Sequence, residues 1–218
     1  MKLFAFSGLG ADRRVFEFLN IDAELIYVDW IDPLVNESLN SYSKRIAHKL
    51  PLHKHEKFGF LGVSFGGMIA SELSKKFKPN LVILISSAET KKDLRVIYRI
   101  YGKTKLNRLI PSALHHPPMF IMDYLFGAKN KTLLHQILKD TDPHFAKWCI
   151  DALINWKNET KVATPLLKLH GTQDKLIPIS KDSNIVAIEN GGHFMIVDKA
   201  NEISLLINEH LKKLNLDT

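Results

Sequence analysis

Short apolar runs alternate with amphipathic runs through the first part of the chain. Apolar runs that are rich in aromatic and β-branched residues predict strands, and apolar residues that recur at helical spacing predict helices. Repeated alternation of strands and helices is typical of a parallel sheet that carries helices on both faces. The segments predicted in this way are, in chain order, 2–6, 12–19, 24–28, 39–50, 58–62, 68–77 and 81–85.

A different pattern fills the middle of the chain. It is helical in character, is broken by several prolines and is rich in large apolar side chains. The alternation then resumes, with strand-like runs at 165–174 and 184–189 and a helical pattern at 200–214. The chain is therefore predicted to form one α/β core with a helical insertion. The predicted parts are 1–88 (core, first part), 89–160 (helical insertion) and 161–218 (core, second part).

The turn after the strand 58–62 carries the most specific chemical signal, the sequence Gly62-Val63-Ser64-Phe65-Gly66. A serine at the apex of a sharp strand-to-helix turn has a strained backbone, which only small neighbours permit. The turn exposes the hydroxyl, and the positive end of the following helix favours a developing oxyanion. Taken alone, the pattern also fits an ordinary glycine-rich turn, so its interpretation depends on an acid and a histidine elsewhere.

Both of these residue types follow at the ends of later strands. Asp174 ends the run 165–174, and His193 follows the next strand, behind Gly191-Gly192. Ligand sites in open α/β sheets form at the C-terminal ends of the strands. Asp174 is the preferred acid. Glu89, which follows an earlier strand, is the alternative.

These motifs resemble those of the α/β-hydrolase family, and the resemblance covers nearly the whole chain. Three segments carry it beyond the serine turn. The segment Phe6-Ser7-Gly8-Leu9-Gly10 is similar to the family's oxyanion loop. The segment His170-Gly171-Thr172-Gln173-Asp174 is similar to its acid segment, and Gly191-Gly192-His193-Phe194 is similar to its histidine segment. The chain departs from the family in two places. Ser7 stands where many members have histidine. Only 19 residues (193 − 174) separate the acid from the histidine, so the helix usual between those strands has little room.

The resemblance implies an α/β fold with a mostly parallel central sheet flanked by helices. It also implies that the inserted helices form a cap over the active site, and that the chain lacks the N-terminal edge hairpin of larger members. In the mechanism that it implies, Ser64 is the nucleophile, His193 the general base and Asp174 the acid that orients the imidazole. The backbone N–H groups of Leu9 and Phe65 form the oxyanion hole in this scheme.

Composition and charge limit the other classes of function. A chain of 218 residues, 45% hydrophobic and 24% charged, indicates one globular domain rather than a disordered protein. The single cysteine, Cys149, excludes an internal disulfide and, with no signal-peptide pattern, predicts a cytoplasmic protein. No apolar run is long enough to predict a membrane span. The net charge of +7 comes from scattered lysines near predicted helix ends, which argues against a nucleic-acid partner.

Nothing in the sequence predicts a metal ion or an organic cofactor. The histidine pairs His53/His55 and His115-His116 lack the spacing and the nearby carboxylates of a metal site. Gly102-Lys103-Thr104 lacks the first glycine of a phosphate-binding loop. The expected partner is a small-molecule substrate, and the oligomeric state is left open.

The sequence thus predicts a serine hydrolase that cleaves a small, partly apolar carboxylic ester through an acyl-enzyme. Two alternatives remain: a lyase of the menaquinone-pathway type that uses the same triad on a carboxylate-rich substrate, and a binding protein that keeps the fold without catalysis. If Arg13 faces the pocket, its cation favours the lyase, because that substrate is rich in carboxylates. Otherwise Arg13 is a solvated residue at the start of a helix. Trp30, at the end of the second predicted strand, is a candidate for the pocket wall.

Overall fold

Six strands form the centre of the computed structural model, which describes residues 1–52, 56–104, 118–180 and 184–216. The strands are β1 (Lys2–Phe6), β2 (Glu24–Tyr27), β3 (Phe58–Val63), β4 (Leu81–Ile85), β5 (Leu166–Gly171) and β6 (Ile185–Ile188). They make one sheet in the order β2-β1-β3-β4-β5-β6, and each of these neighbouring pairs is parallel. The predicted parallel sheet is confirmed.

Helices cover both faces of the sheet. They are α1 (Leu39–Ala47), α2 (Phe65–Phe77), α3 (Val96–Thr104), α4 (Met119–Phe126), α5 (Lys131–Asp140), α6 (Pro143–Ile154), α7 (Met195–Asp198) and α8 (Ala200–Leu216). The helix predicted over 12–19 is a single 3-10 turn, Arg13–Phe16, which is enough to bury the adjacent side chains of Val15 and Phe16. The helix predicted from residue 68 begins at Phe65, because it starts directly behind the serine turn.

Side chains of the inner strands alternate between two apolar layers, as the two-residue period of a strand requires. In β1, Leu3 and Ala5 belong to one buried cluster and Phe4 and Phe6 to the other. Side chains of α5 and α8 complete the first cluster, and those of α1, α2 and α6 complete the second. Helices α3 to α6 lie between β4 and β5 in the chain. Two of these four, α5 and α6, are therefore packed into the main core rather than standing apart from it.

The C-terminal ends of the parallel strands bring the predicted site residues to one edge of the sheet. Ser64 follows β3, Asp174 follows β5, and His193 follows β6. The described part of the β5–β6 connection, 172–180 and 184, contains no helix, as the short spacing indicated. None of the described helices is both long and apolar enough to cross a membrane.

Candidate active site

Ser64 lies at the apex of the turn between β3 and α2. Its backbone has a positive φ (φ 51°, ψ −119°), a conformation that costs a residue other than glycine on the order of 1–3 kcal/mol. The Ser64 N–H donates to the carbonyl of Ile85 at 2.9 Å. The Ser64 carbonyl accepts the Ser87 hydroxyl at 2.6 Å and the Gly67 N–H at 3.0 Å. A backbone bond to Ile85 of β4 and a side-chain bond from Ser87 thus hold the strained turn in place.

The glycines on either side of Ser64 allow close backbone contacts. A Cβ atom on Gly66 would overlap the carbonyl oxygens of Phe6 and Ser7, and one on Gly62 would overlap the backbone of Gly67. Both positions therefore require glycine for space, as the sequence pattern indicated.

The imidazole of His193 lies between Ser64 and Asp174. Its Nε2 is 2.8 Å from the Ser64 Oγ, and its Nδ1 is 2.8 Å from the Asp174 Oδ2. An ionised carboxylate only accepts hydrogen bonds, so Nδ1 carries the proton of the neutral ring and Nε2 is left to accept the serine proton. The structure thus brings together the three residues that the sequence predicted, from three different loops.

The side chain of Asp174 is fully buried and accepts several hydrogen bonds. Its Oδ1 accepts the backbone N–H groups of Leu176 and Ile177, each at 2.9 Å. Burial by itself would raise the pKa of Asp174, but the charge of His193 and the hydrogen bonds from His170 and His193 outweigh it and hold that pKa well below its usual value. The carboxylate therefore stays ionised and can stabilise a positive charge on the His193 imidazole.

His170 is a second buried histidine beside Asp174, and the sequence assigned it no separate role. Its Nε2 lies 2.6 Å from the carbonyl oxygen of Ile177 and 3.5 Å from the Asp174 Oδ2. Because a carbonyl oxygen only accepts, Nε2 carries the proton, and the ring ties the end of β5 to the turn that presents Asp174. The only signal in the sequence was its place four residues before Asp174.

The loop after β1 contacts Ser64 from the other side. A Cβ atom built on Gly8 would lie 3.4 Å from the Ser64 Cβ and 4.0 Å from its hydroxyl. Ala11 donates its N–H to the Gly8 carbonyl at 3.0 Å, which closes a turn in which Leu9 is the first central residue. The turn does not use the Leu9 N–H. Phe65 is the first residue of α2, so the helix does not use its N–H either.

An apolar cavity of about 400 Å³ opens onto Ser64 and His193. Much of its wall comes from α3 to α6, through side chains that include Tyr98, Met122, Leu125, Ile137, Ile150 and Leu153. No lysine or arginine is among the described residues of this wall. The described part of the site therefore places the Ser64 hydroxyl, bonded to His193, next to an apolar space.

No family model matches the sequence, and no curated protein is similar to it. Solved structures are similar in fold. A hydrolase from Oleispira antarctica has a TM-score of 0.73 and 16% identity, over 97% of this chain and 90% of that one. A thermophilic esterase from Thermogutta terrifontis has a TM-score of 0.66 and 16% identity, over 98% and 90%. MenH from S. aureus has a TM-score of 0.68 and 20% identity, over 99% and 94%.

The chain has the α/β-hydrolase fold. Within that fold the large apolar residues of the inserted segment have three different environments. Tyr98, Tyr101, Met122 and Phe126 line the cavity, Trp148 and Trp156 are buried in the core, and Phe120 and Tyr124 are exposed.

Two residues considered for the pocket of this α/β-hydrolase fold lie outside its described wall. The Trp30 indole N–H donates to the carbonyl of Ala11 at 3.1 Å, and its ring packs against Phe65 and Phe145. Trp30 therefore supports the loop after β1. Arg13 is exposed at the start of its 3-10 turn, in the solvated position that was its alternative.

Glu89, the alternative acid, is buried but has other partners. One carboxylate oxygen accepts the Val162 N–H at 2.7 Å, and the other accepts the Lys168 Nζ at 3.2 Å. Its negative charge is therefore used to pair with β5 rather than with His193.

The described residues contain no cluster of side chains that could hold a metal ion. The predictions about His53, His55, His115 and His116 concern positions outside the described residues.

Proposed function

We propose that the protein is a serine hydrolase that cleaves small carboxylic esters with an apolar acyl group. The observation that supports this most directly is the chain of two 2.8 Å hydrogen bonds from Asp174 through His193 to Ser64. It ends at an apolar cavity, which suits an uncharged acyl group because burial of apolar surface is favourable and burial of an unpaired charge is not.

The positions of the atoms support the following reaction. The Ser64 Oγ attacks the ester carbonyl while the His193 Nε2 takes the hydroxyl proton. The N–H groups of Leu9 and Phe65 donate to the oxyanion of the tetrahedral intermediate. His193 then gives its proton to the departing alkoxide, which leaves as the alcohol and leaves an acyl group on Ser64. Water, deprotonated by the same Nε2, attacks the acyl group. The Oγ–carbon bond then breaks as His193 returns the proton to Oγ, which releases the carboxylic acid and restores the Ser64 hydroxyl.

Residues 89–160 serve as the cap in this proposal. The described part of the segment supplies most of the apolar side chains around the cavity, so it determines which acyl groups fit. Pockets for small molecules are usually concave and mainly apolar, with a few polar groups that fix the orientation of the ligand. Ser64 and His193 are those polar groups here.

The lyase alternative has less support. MenH from S. aureus is similar in fold, yet a fold hosts many chemistries. A carboxylate-rich substrate needs cations to compensate its burial, and the described wall contains no lysine or arginine. An apolar ester therefore fits the cavity better.

The test is labelling and hydrolysis by Ser64→Ala. The wild type should hydrolyse p-nitrophenyl esters and react with a fluorophosphonate probe, and Ser64→Ala should do neither while its circular dichroism is unchanged. Ser43→Ala is the matched control, because it removes a buried hydroxyl that donates to the carbonyl of Leu39 within α1. Hydrolysis that survives in Ser64→Ala contradicts the proposal. Labelling of the wild type without hydrolysis of any ester favours the lyase, and no labelling favours a binding protein.

A further inference from the structure

The loop after β1 is held by two different parts of the fold. The Ser7 hydroxyl and the Trp30 Nε1–H both donate to the carbonyl of Ala11, at 2.7 and 3.1 Å. The carbonyl just before it, that of Gly10, lies 3.0 Å from the hydroxyl of Thr141 in the inserted segment. Two consecutive carbonyls of the loop therefore accept hydrogen bonds. The donors to one of them lie in the first part of the core, and the donor to the other lies in the insertion.

Thr141 is itself firmly held at the corner between α5 and α6. Its side chain is buried, and its hydroxyl also lies 2.8 Å from the carbonyl of Ile137, one turn back in α5. Since a hydroxyl has a single proton, the two carbonyls share it. The next residue, Asp142, accepts the N–H of Phe145 at 2.7 Å and so caps α6. The corner cannot shift without disturbing both helices.

The contact between Thr141 and Gly10 is steric as well as polar. Gly10 has a φ of 69° at the second central position of the turn that Ala11 and Gly8 close, where a type II turn favours glycine. A Cβ atom on Gly10 would overlap the side chain of Thr141. Thr141 therefore fills the space beside Gly10 and limits how far the peptide there can rotate.

We propose that Thr141 is a positioning residue for the oxyanion hole. Its hydroxyl holds the Gly10 carbonyl, which lies two peptide units beyond the Leu9 N–H in the same turn. By fixing that turn, Thr141 keeps the Leu9 N–H directed to the oxyanion that forms at Ser64. This inference rests on the proposed hydrolase function. Misplacement of a catalytic group by one ångström can cost about 10²-fold in rate. The insertion then contributes to the rate for every ester, including those too short to occupy the acyl cavity.

The test is the kinetics of Thr141→Val, which has nearly the same shape but no hydroxyl, with a p-nitrophenyl ester of a short acid. We expect kcat to fall by about 10- to 100-fold, because a transition-state interaction is weakened. KM should change by less than about threefold, because the ground state makes little use of the oxyanion hole. Affinity for a boronic acid, which forms a tetrahedral adduct on Ser64, should fall with kcat.

Two further variants separate positioning from stability. Thr141→Ser keeps the hydroxyl and should restore kcat to within about threefold of the wild type. Ser43→Ala removes a hydroxyl that, like that of Thr141, bonds the carbonyl four residues back, and it should leave kcat and boronic-acid affinity unchanged. If Thr141→Val does not fold, Thr141→Ala removes the same bonds without adding a methyl group and carries the same expectation.

The outcomes are distinct. A Thr141→Val variant that melts at a lower temperature but has an unchanged kcat per titrated active site overturns the inference and leaves the proposed function standing. A parallel fall in the Thr141→Ser variant also overturns it, because the hydroxyl is then not the cause. A wild type without Ser64-dependent hydrolysis overturns the proposed function, and the inference with it.

Discussion

The phenyl ring of Phe126 meets the imidazole of His193 edge to face, with 5.4 Å between the ring centroids. Such aromatic pairs contribute about 0.5–1.5 kcal/mol beyond the area that they bury. The carbonyl of Phe126 also accepts the Phe194 N–H at 3.1 Å. The end of α4 therefore fixes both the plane of the imidazole and the backbone that carries it.

The inserted helices touch the acid loop as well. The Tyr98 hydroxyl donates to the carbonyl of Leu176 at 3.1 Å, two residues beyond Asp174. Phe126 likewise bonds the loop that carries His193, and Thr141 bonds the loop after β1. The insertion is therefore bonded to three of the loops that carry predicted site residues. A swing of the whole insertion away from the sheet would break all of these contacts at once.

The choice of acid can be tested by two substitutions. Asp174→Asn should lower kcat by about 10⁴-fold, because the asparagine amide favours the wrong tautomer of His193. Glu89→Gln should leave kcat per folded molecule unchanged, because Glu89 pairs with Lys168. The measurement is kcat after active-site titration. A larger loss in Glu89→Gln than in Asp174→Asn would show that the acid was wrongly chosen.

The same Glu89→Gln variant should be less stable than the wild type. Removal of one partner from a buried ion pair costs up to about 3–5 kcal/mol. Asp93, whose Oδ2 lies 3.9 Å from the Lys168 Nζ, still faces the lysine in the variant, so we expect the loss to lie at or below the lower end of that range. Urea unfolding of the two proteins measures this loss. Unchanged stability combined with lost activity contradicts the structural role of Glu89.

The stability that Asp174 contributes should depend on pH in a defined direction. Its pKa is lowered in the folded protein, so the ionised carboxylate stabilises the fold fully above the unfolded pKa, about 4. That contribution is lost as the pH falls below 4 towards the lowered pKa. The difference in unfolding free energy between the wild type and Asp174→Asn should therefore be steady near pH 5 and shrink at lower pH. A difference that grows on acidification has the wrong sign for this mechanism.

The acyl cavity can be resized at Ile150, a half-buried residue of its wall. Ile150→Phe fills the space and should move the preference towards shorter acyl chains, while Ile150→Ala should move it towards longer ones. Labelling of Ser64 by a small fluorophosphonate should stay nearly the same, because the triad does not change. Leu205→Ala, at an exposed position of α8, is the control. Chain-length profiles that coincide for all four proteins would exclude the cavity as the acyl site.

Local signals in the sequence predicted the order of strands and helices and grouped Ser64, Asp174 and His193. Each of these signals is contained within about one strand and its turn: a two-residue period, a helical period, or glycines around a sharp bend. The acid remained ambiguous at that level, because Asp174 and Glu89 both follow buried strands. Their partners in the folded chain separate them: Asp174 accepts the His193 Nδ1–H, and Glu89 pairs with Lys168 on the neighbouring strand.

The tertiary structure alone decided which distant residues support the site. Thr141 and Gly10 are 131 positions apart, and Tyr98 and Leu176 are 78 apart, so no periodic pattern connects them. Trp30 was a candidate for the pocket wall, and in the folded chain it supports a loop through its indole N–H. By itself the sequence determined the sheet and the chemical types at its edge, since these depend on local periodicity and turn geometry. The partners that hold those residues depend on how separate segments pack, which only the folded chain specifies.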